Sequence, residues 1–384
     1  MKKETLVTTI GRNPEAHEGV VNPPVYRAST ILFPTVADYE ESERSNGVQP
    51  LVYARSGTPA TRALEEALAQ LDEADHAIVT SSGQSAILVA ITAFLSSGDH
   101  LLVTDNVYGS MRKMCKQEIS RFGIEITFFD PLVEDIRPLL RPNTKMVYCE
   151  APGSQTFEVQ DIPAIVKAAH AHGAIVVADN TWATPLFNNM SRHGVDISIQ
   201  SCTKYISGHS DLVMGLITCS KQYFPALRRA YRNYGACPGS EEIYLAQRGL
   251  RTLATRLKQH QETGLKLAQW FKQRPETVRV LHPALPECPG HEIWKRDFTG
   301  ASGLFGVLLK PYPHEALARM LDHMKLFGMG FSWGGYESLM IPFKPERTVT
   351  QWKHDGICLR VHAGLEAPED LIADLEAGFA RLNG

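Results

Sequence analysis

The chain reads as an α/β protein: a mostly parallel central sheet with helices on both faces, followed by a smaller C-terminal α+β domain. Three observations predict this. Between about Tyr53 and Gln200, short apolar runs alternate with helical stretches, the pattern of right-handed βαβ units. The apolar runs are continuous rather than alternating, as in strands covered on both faces. Near Ser240 the texture changes to a long stretch rich in Leu, Ala, Gln, Lys and Arg, and then to mixed helices and strands.

Residues 1–53 are rich in Pro, Asn, Ser and Thr (NPPVYRAST, SNGVQP) and read as an extended arm with little core of its own, easily explained if it packs on a neighbouring subunit. Residues 54–243 form the α/β domain. RALEEALAQLDE is an amphipathic helix. AIVT, a helix over Ser85–Leu95, LLVTD, a helix over Met111–Phe122, IEITFFD, KMVYCEAP, a helix over Ile162–His172, AIVVADN and DISIQ follow in turn. Residues 244–384 form the second domain. Ile243–Phe271 supplies one or two long helices, and strands GLFGVLLK and GICLRVH stand among helices over Glu315–Met324 and Pro368–Leu382.

With 384 residues, the chain buries a sizeable core without disulfides or metals. Its formal charge is 39 − 42 = −3, which gives no electrostatic basis for nucleic acid or an anionic membrane as the main partner. The seven cysteines are odd in number, widely spaced and without a CxxC, which excludes a disulfide scaffold and zinc-ribbon patterns. MKKETLVTTIGRNPE lacks the apolar segment of a secretory signal. The longest apolar run, Ala86–Leu95, is too short to span a bilayer. A reducing, cytoplasmic location is the expectation.

Ligands of open α/β sheets sit at the carboxyl ends of the strands, and three such ends carry chemistry. In AIVTSSGQSAI a strand runs into Ser-Ser-Gly and a helix opens at about Gln84. Gly83 allows close backbone approach, and the helix N-terminus offers free N–H groups to a phosphate. In AIVVADNTWATP, Asp179 ends an apolar strand, where a carboxylate is costly unless paired. In DISIQSCTKYISGHSD, Lys204 follows a strand among the hydroxyls of Ser201 and Thr203. A lysine in a cleft can have a depressed pKa and act as a nucleophile. Each element alone has an ordinary structural explanation: a capped helix, a turn cap, an exposed lysine. Together they fit pyridoxal phosphate, with the lysine bonded to the aldehyde carbon, the Asp on the ring nitrogen and the helix N-terminus on the phosphate.

Several segments carry a resemblance: YARSGTPATRALE, EAPGSQTFEV, ADNTWATPLF, SIQSCTKYISGHSD, HEIWKRDFTGASGLFG, SWGGYESL and LRVHAGLE. On these the chain resembles the cysteine/methionine-metabolism family of pyridoxal-phosphate enzymes nearly end to end. The resemblance implies fold type I and a homotetramer. It implies Lys204 as Schiff-base lysine and proton shuttle, Asp179 on the pyridine nitrogen, and Tyr108 stacked on the ring. It places the backbone of Gly83 and Gln84 and the hydroxyls of Ser201 and Thr203 on the phosphate. Tyr53 and Arg55 would reach the phosphate of a neighbouring subunit, with Tyr53 also bordering the substrate. Arg360, with Ser332 and the Trp333 backbone, would hold the substrate α-carboxylate; a planar guanidinium fork suits that task. No metal is implied.

The implied activity is β-cleavage of the carbon–sulfur bond of an amino-acid thioether, L-cystathionine. A γ-cleaving or γ-synthase member of the family and a non-catalytic regulator are the alternatives. Three departures from the wider family bear on this. EAPGSQT lacks the Asn that contacts the cofactor hydroxyl elsewhere, Ser110 stands where methionine γ-lyases have Cys, and Phe331 stands where γ-enzymes have Glu. A phenyl ring there is expected to make the nearby pocket drier. The remaining candidates read as structural: His170 and His172, two apart on a helix, do not share a face for a metal; GHSD is a loop and not a triad; and Trp294, Trp333 and Trp352 are packing groups or pocket walls.

Overall fold

The structure is a computed structural model that describes residues 1–44 and 51–384; the SNGVQP segment of the expected arm lies outside the described residues. The large sheet comprises β1 (His76–Thr80), β2 (His100–Thr104), β3 (Glu125–Phe129), β4 (Thr144–Glu150), β5 (Ile175–Asp179), β6 (Ile197–Ser201) and β7 (Gly215–Cys219), in the order β1-β7-β6-β5-β4-β2-β3. Only β7 runs against its neighbours. On one face Ile78, Val103, Tyr148, Val177, Ile199 and Ile217 meet the helix Gly83–Thr92 and its neighbours. On the other, Val79 and Leu216 pack under the helix Pro59–Asp72, and Val147, Val176 and Ala178 under the helix Ile162–His172. Two covered faces explain the continuous apolar runs.

A smaller antiparallel sheet, β8 (Thr277–Leu281), β9 (Leu304–Leu309), β10 (Leu339–Pro342) and β11 (Cys358–His362), has the order β10-β11-β9-β8. It packs on the helices His314–Leu321 and Pro368–Asn383.

Several features depart from the sequence reading, among them the helix Val36–Arg44 within the expected arm. The first ten residues are not part of an extended arm. The helix Lys3–Thr9 packs on the chain's own long helix, Val7 and Ile10 are buried in the large domain, and Arg251 donates to the Val7 and Ile10 carbonyls at 3.0 and 2.6 Å. Two apolar side chains, Leu6 and Val7, on a seven-residue helix are too few for periodicity to show. The division at residues 243/244 falls inside one continuous helix, Ser240–Lys272, whose first half serves the large core and whose last turns serve the small one.

β7 and the helix Phe224–Tyr234 were not anticipated. β7 opens on Gly215, where a Cβ would lie 2.2 Å from the Ser82 carbonyl oxygen. The helix read over Met111–Phe122 instead spans Gly109–Gln117 and closes in a separate turn, Ile119–Phe122. All seven cysteines are free, and six are buried. Among the described residues no helix is long and apolar enough to cross a membrane.

Candidate active site

At the end of β1 the chain turns through Ser81 and Ser82 into the helix Gly83–Thr92. The Ser82 hydroxyl caps it, accepting from the Ser85 N–H at 3.0 Å. A Cβ on Gly83 would come within 3.0 Å of the Ser201 Cβ and 3.1 Å of its Oγ. Glycine is what lets this helix N-terminus sit against the end of β6. The Gln84 side chain donates to the Ser110 carbonyl at 3.3 Å, and its backbone N–H belongs to the first helical turn, whose amides have no intrahelical acceptor. The Thr203 hydroxyl accepts from Met214 N–H at 3.0 Å and lies 3.2 Å from its carbonyl oxygen. It is engaged with its own loop, so Ser201 is the hydroxyl that borders the helix end.

Asp179 closes β5. Its Oδ1 accepts from the Thr181 hydroxyl at 2.6 Å and the Thr181 N–H at 2.9 Å, and the same hydroxyl accepts from Ser201 N–H at 2.9 Å. Burial raises the Asp179 pKa; Thr181 and then Lys204 oppose it. Thr181 escaped the sequence reading, although a Thr two residues after an Asp at a strand end is a turn signal.

Glu150 escaped it too. It ends β4 directly beside Asp179 in register, and its Oε2 accepts from the Tyr108 N–H at 2.6 Å. Burial and the neighbouring Asp179 charge raise its carboxyl well above the usual range, and the Tyr108 N–H opposes them. Glu150 thereby fixes the backbone of Tyr108, whose ring stays half exposed at the mouth of the site.

Lys204 lies just past β6. Its Nζ donates to Ser332 Oγ at 2.5 Å and stands 5.3 Å from the Trp333 ring centroid. Burial first, then the Arg360 charge, lower this amine to about 8, with Asp179 opposing. Arg360, on β11, donates to the carbonyls of Ser332 at 2.7 Å and Gly330 at 3.1 Å. Ser332 has φ +77, a left-handed conformation that costs energy for a side-chain-bearing residue and is held by these contacts. Lys204, Ser332, Trp333 and Arg360 thus form one cluster, with Asp179 close enough to bear on the lysine charge.

Tyr53 and Arg55 stand apart from it. Tyr53 pairs with Thr30 in an isolated bridge, and the Arg55 guanidinium donates to the Arg232 carbonyl. Phe331 is 92% exposed. Its ring is open to solvent in this chain, so the chain by itself does not form the drier pocket expected around it. The structural readings of the other motifs agree with their contacts. His170 binds Asp196, His172 the Arg141 carbonyl, His209 the Ser207 carbonyl, and Ser210 the Glu337 carboxylate. Among the described residues no His, Cys, Asp and Glu cluster is arranged to hold a metal ion.

These residues fit pyridoxal phosphate: a glycine-lined helix N-terminus, a carboxylate at a strand end with its pKa raised by burial, and a lysine lowered toward neutrality. The family model for the Cys/Met metabolism PLP-dependent enzymes matches residues 4–380. The chain is 42% identical to an L-alanine/L-glutamate racemase of Wolbachia pipientis wMel, over 100% of this chain and 98% of that one. It is 41% identical to a cystathionine beta-lyase of Escherichia coli K12, over 99% of each chain. The solved cystathionine gamma synthase of Xanthomonas oryzae pv. oryzae superposes with a TM-score of 0.91 at 27% identity, covering 100% of this chain and 99% of that one. The chain belongs to the Cys/Met metabolism PLP-dependent enzyme family. Its fold is that of the family, and pyridoxal phosphate is its cofactor.

Proposed function

We propose that this enzyme is a carbon–sulfur β-lyase that cleaves L-cystathionine to homocysteine and aminoacrylate, which water hydrolyses to pyruvate and ammonia, a step of methionine biosynthesis. One observation carries the reading. The Lys204 amine, lowered to about 8, faces the Ser332 loop that Arg360 tethers. An amine with a pKa near neutrality can act in turn as base and acid. When bound, pyridoxal phosphate supplies the electron sink that makes the substrate α-proton removable.

The residues do the rest. Arg360, with Ser332 and the Trp333 backbone, orients the substrate carboxylate. Neutral Lys204 takes the α-proton and hands a proton to the departing sulfur. Asp179, aligned by Thr181, holds the ring nitrogen, and Tyr108, fixed by Glu150, covers the ring. Gly83, Gln84, Ser201 and Thr203 take the phosphate side, with Thr203 exchanging its carbonyl contact for the phosphate.

We place Tyr53 and Arg55 at the phosphate of a neighbouring subunit in a cytoplasmic homotetramer. Exposed apolar side chains along the same segment, Leu32 at 86% and Val36 at 73%, support a covered position in an assembly. Mixed oligomers of an Arg55→Ala chain and a Lys204→Ala chain should regain activity, because one site of the hybrid keeps both residues; inactive verified hybrids would place Arg55 in its own chain's site.

Product analysis with L-cystathionine tests the activity. Pyruvate with homocysteine is the expected result. 2-Oxobutyrate with cysteine would mean γ-cleavage. Inertness toward thioethers together with D-alanine formation from L-alanine would mean the racemase activity for which the Wolbachia relative is named.

A further inference from the structure

Behind the Lys204 loop lie two buried histidines whose free nitrogens complement one another. His260 is on the helix Ser240–Lys272, and His362 is on β11, two residues past Arg360; both are 0% exposed. His260 Nδ1 is 2.8 Å from the Ala363 carbonyl oxygen. A carbonyl only accepts, so Nδ1 carries the proton and Nε2 of the neutral ring presents a lone pair. That Nε2 has no partner among the described residues.

His362 Nε2 lies 3.1 Å from the Gly334 N–H nitrogen and 3.1 Å from the Gly335 carbonyl oxygen. One nitrogen cannot serve both. As an acceptor it satisfies the N–H; as a donor it satisfies the carbonyl. A buried N–H without a partner is rarer and costlier than an under-used carbonyl, which favours the acceptor. The proton of His362 then sits on Nδ1, the other nitrogen without a partner.

The two rings are 5.2 Å apart between centroids and inclined at 41°. Each ring has one buried nitrogen without a partner, and a proton on His362 Nδ1 would let a hydrogen bond or a bridging water join it to the His260 Nε2 lone pair. In the opposite tautomer both unpartnered nitrogens would be lone pairs, with no proton to share. Burial above all holds both rings below the usual imidazole range; Arg256 adds to it at His260, and His260, Arg360 and Lys204 add to it at His362, against the Ala363 and Gly335 carbonyls, which oppose it. Burial favours the neutral form of both rings, for which the tautomer is the relevant choice.

We propose that His260 and His362 are positioning residues. His260 selects the Nδ1–H tautomer of His362, whose Nε2 then pins the Gly334 N–H and with it the loop that orients Lys204. The loop has little room to shift. Gly334 has φ +86, and a Cβ there would lie 3.0–3.1 Å from the C, Cα and Cβ of Lys204. Ser332, two residues earlier, is the hydrogen-bond partner of the Lys204 amine. β11 thereby grips one loop twice, through Arg360 at the Ser332 carbonyl and through His362 at the Gly334 amide. The inference depends on Lys204 and not on which thioether is cleaved.

Neutron diffraction from deuterium-exchanged holoenzyme reads the tautomers directly. Deuterons on Nδ1 of both histidines are expected; a deuteron on Nε2 of His362 overturns the assignment. Kinetics give a second reading. His260→Leu removes the selecting lone pair, and kcat should fall on the order of five- to tenfold, the worth of one buried hydrogen bond. The acid limb of the kcat profile should move with it. His260→Gln restores an acceptor at the same reach and should recover most of both. Equal losses in the Leu and Gln variants, or an unmoved pH limb, would reduce the pair to packing. Should His260→Leu fail to fold, the neutron map and the Gln variant still decide.

Discussion

Lys204 Nζ and Ser332 Oγ are 2.5 Å apart, and they come from different domains. The lysine leaves β6 of the large sheet, whereas the serine belongs to the loop that β11 of the small sheet holds through Arg360. The direction in which the amine points is therefore a property of the two domains together.

Lys204 itself is the sharpest test. The purified enzyme should show the visible absorption of bound cofactor, and borohydride should fix that cofactor to Lys204. Lys204→Ala should lose several orders of magnitude in kcat, because base and acid vanish in one substitution. Peptide mapping that finds the reduced adduct on another lysine would overturn the assignment.

Arg360→Leu removes a guanidinium fork and a cation beside Lys204. KM for amino-acid substrates should rise on the order of ten- to a hundredfold, the worth of a charge-assisted hydrogen bond. The Arg360 charge helps lower the Lys204 amine. Without it the amine holds its proton more tightly, and the acid limb of the activity profile should move to higher pH. Arg360→Lys keeps the charge but not the fork, so it should raise KM while leaving the limb near its place. An unchanged KM in both variants would move the carboxylate site elsewhere.

Thr181→Val keeps the shape and deletes the hydroxyl that both donates to Asp179 and accepts from Ser201. Losing that donor should raise the Asp179 pKa further and weaken its grip on the cofactor ring nitrogen. Equilibrium dialysis should show weaker cofactor binding, with Thr181→Ser near wild type. Equal retention in all three proteins would show that Asp179 needs no such support.

Asp72 offers a stability test away from the site. It is wholly buried, the Thr218 hydroxyl donates to it, and burial raises its carboxyl to about 7. In the unfolded chain it ionises near 3.8. Between these values the folded state holds a proton that the unfolded state has released. The stabilisation is complete below the lower value and lost as pH rises through the upper one. Asp72→Asn should flatten the fall in stability between pH 5 and 8 by about 2 kcal/mol, measured as the pH dependence of the denaturant midpoint. Parallel curves for the two proteins would mean that Asp72 is ionised throughout.

Much of the large sheet was legible because each buried strand is a continuous apolar run, and the site residues at its carboxyl edge stood out as polar groups closing such runs. Asp179 and Lys204 announced themselves in this way. Glu150 ends a strand in the same manner, yet its importance depends on lying beside Asp179, which is a matter of register between strands far apart in sequence. The helix Lys3–Thr9 was hidden by its length, and β7 by a glycine whose reason is the Ser82 carbonyl of another strand's turn. Phe331 was read from its neighbours in sequence, whereas its exposure follows from the path of the loop. What sequence could not carry was the set of contacts that close between distant segments.

Ile243, Ala246, Leu250, Leu253 and Leu257 fill the large core, and Leu267, Ala268 and Phe271 the small one, all from a single 33-residue helix. The chain therefore has no seam at which it can be cut. Severed at residue 243, the N-terminal piece would carry every group placed on the phosphate and still be left with an open apolar trough where the helix had lain. Heat should likewise find no order in which to melt the halves: once the rod frays at either end, both cores lose their common wall together.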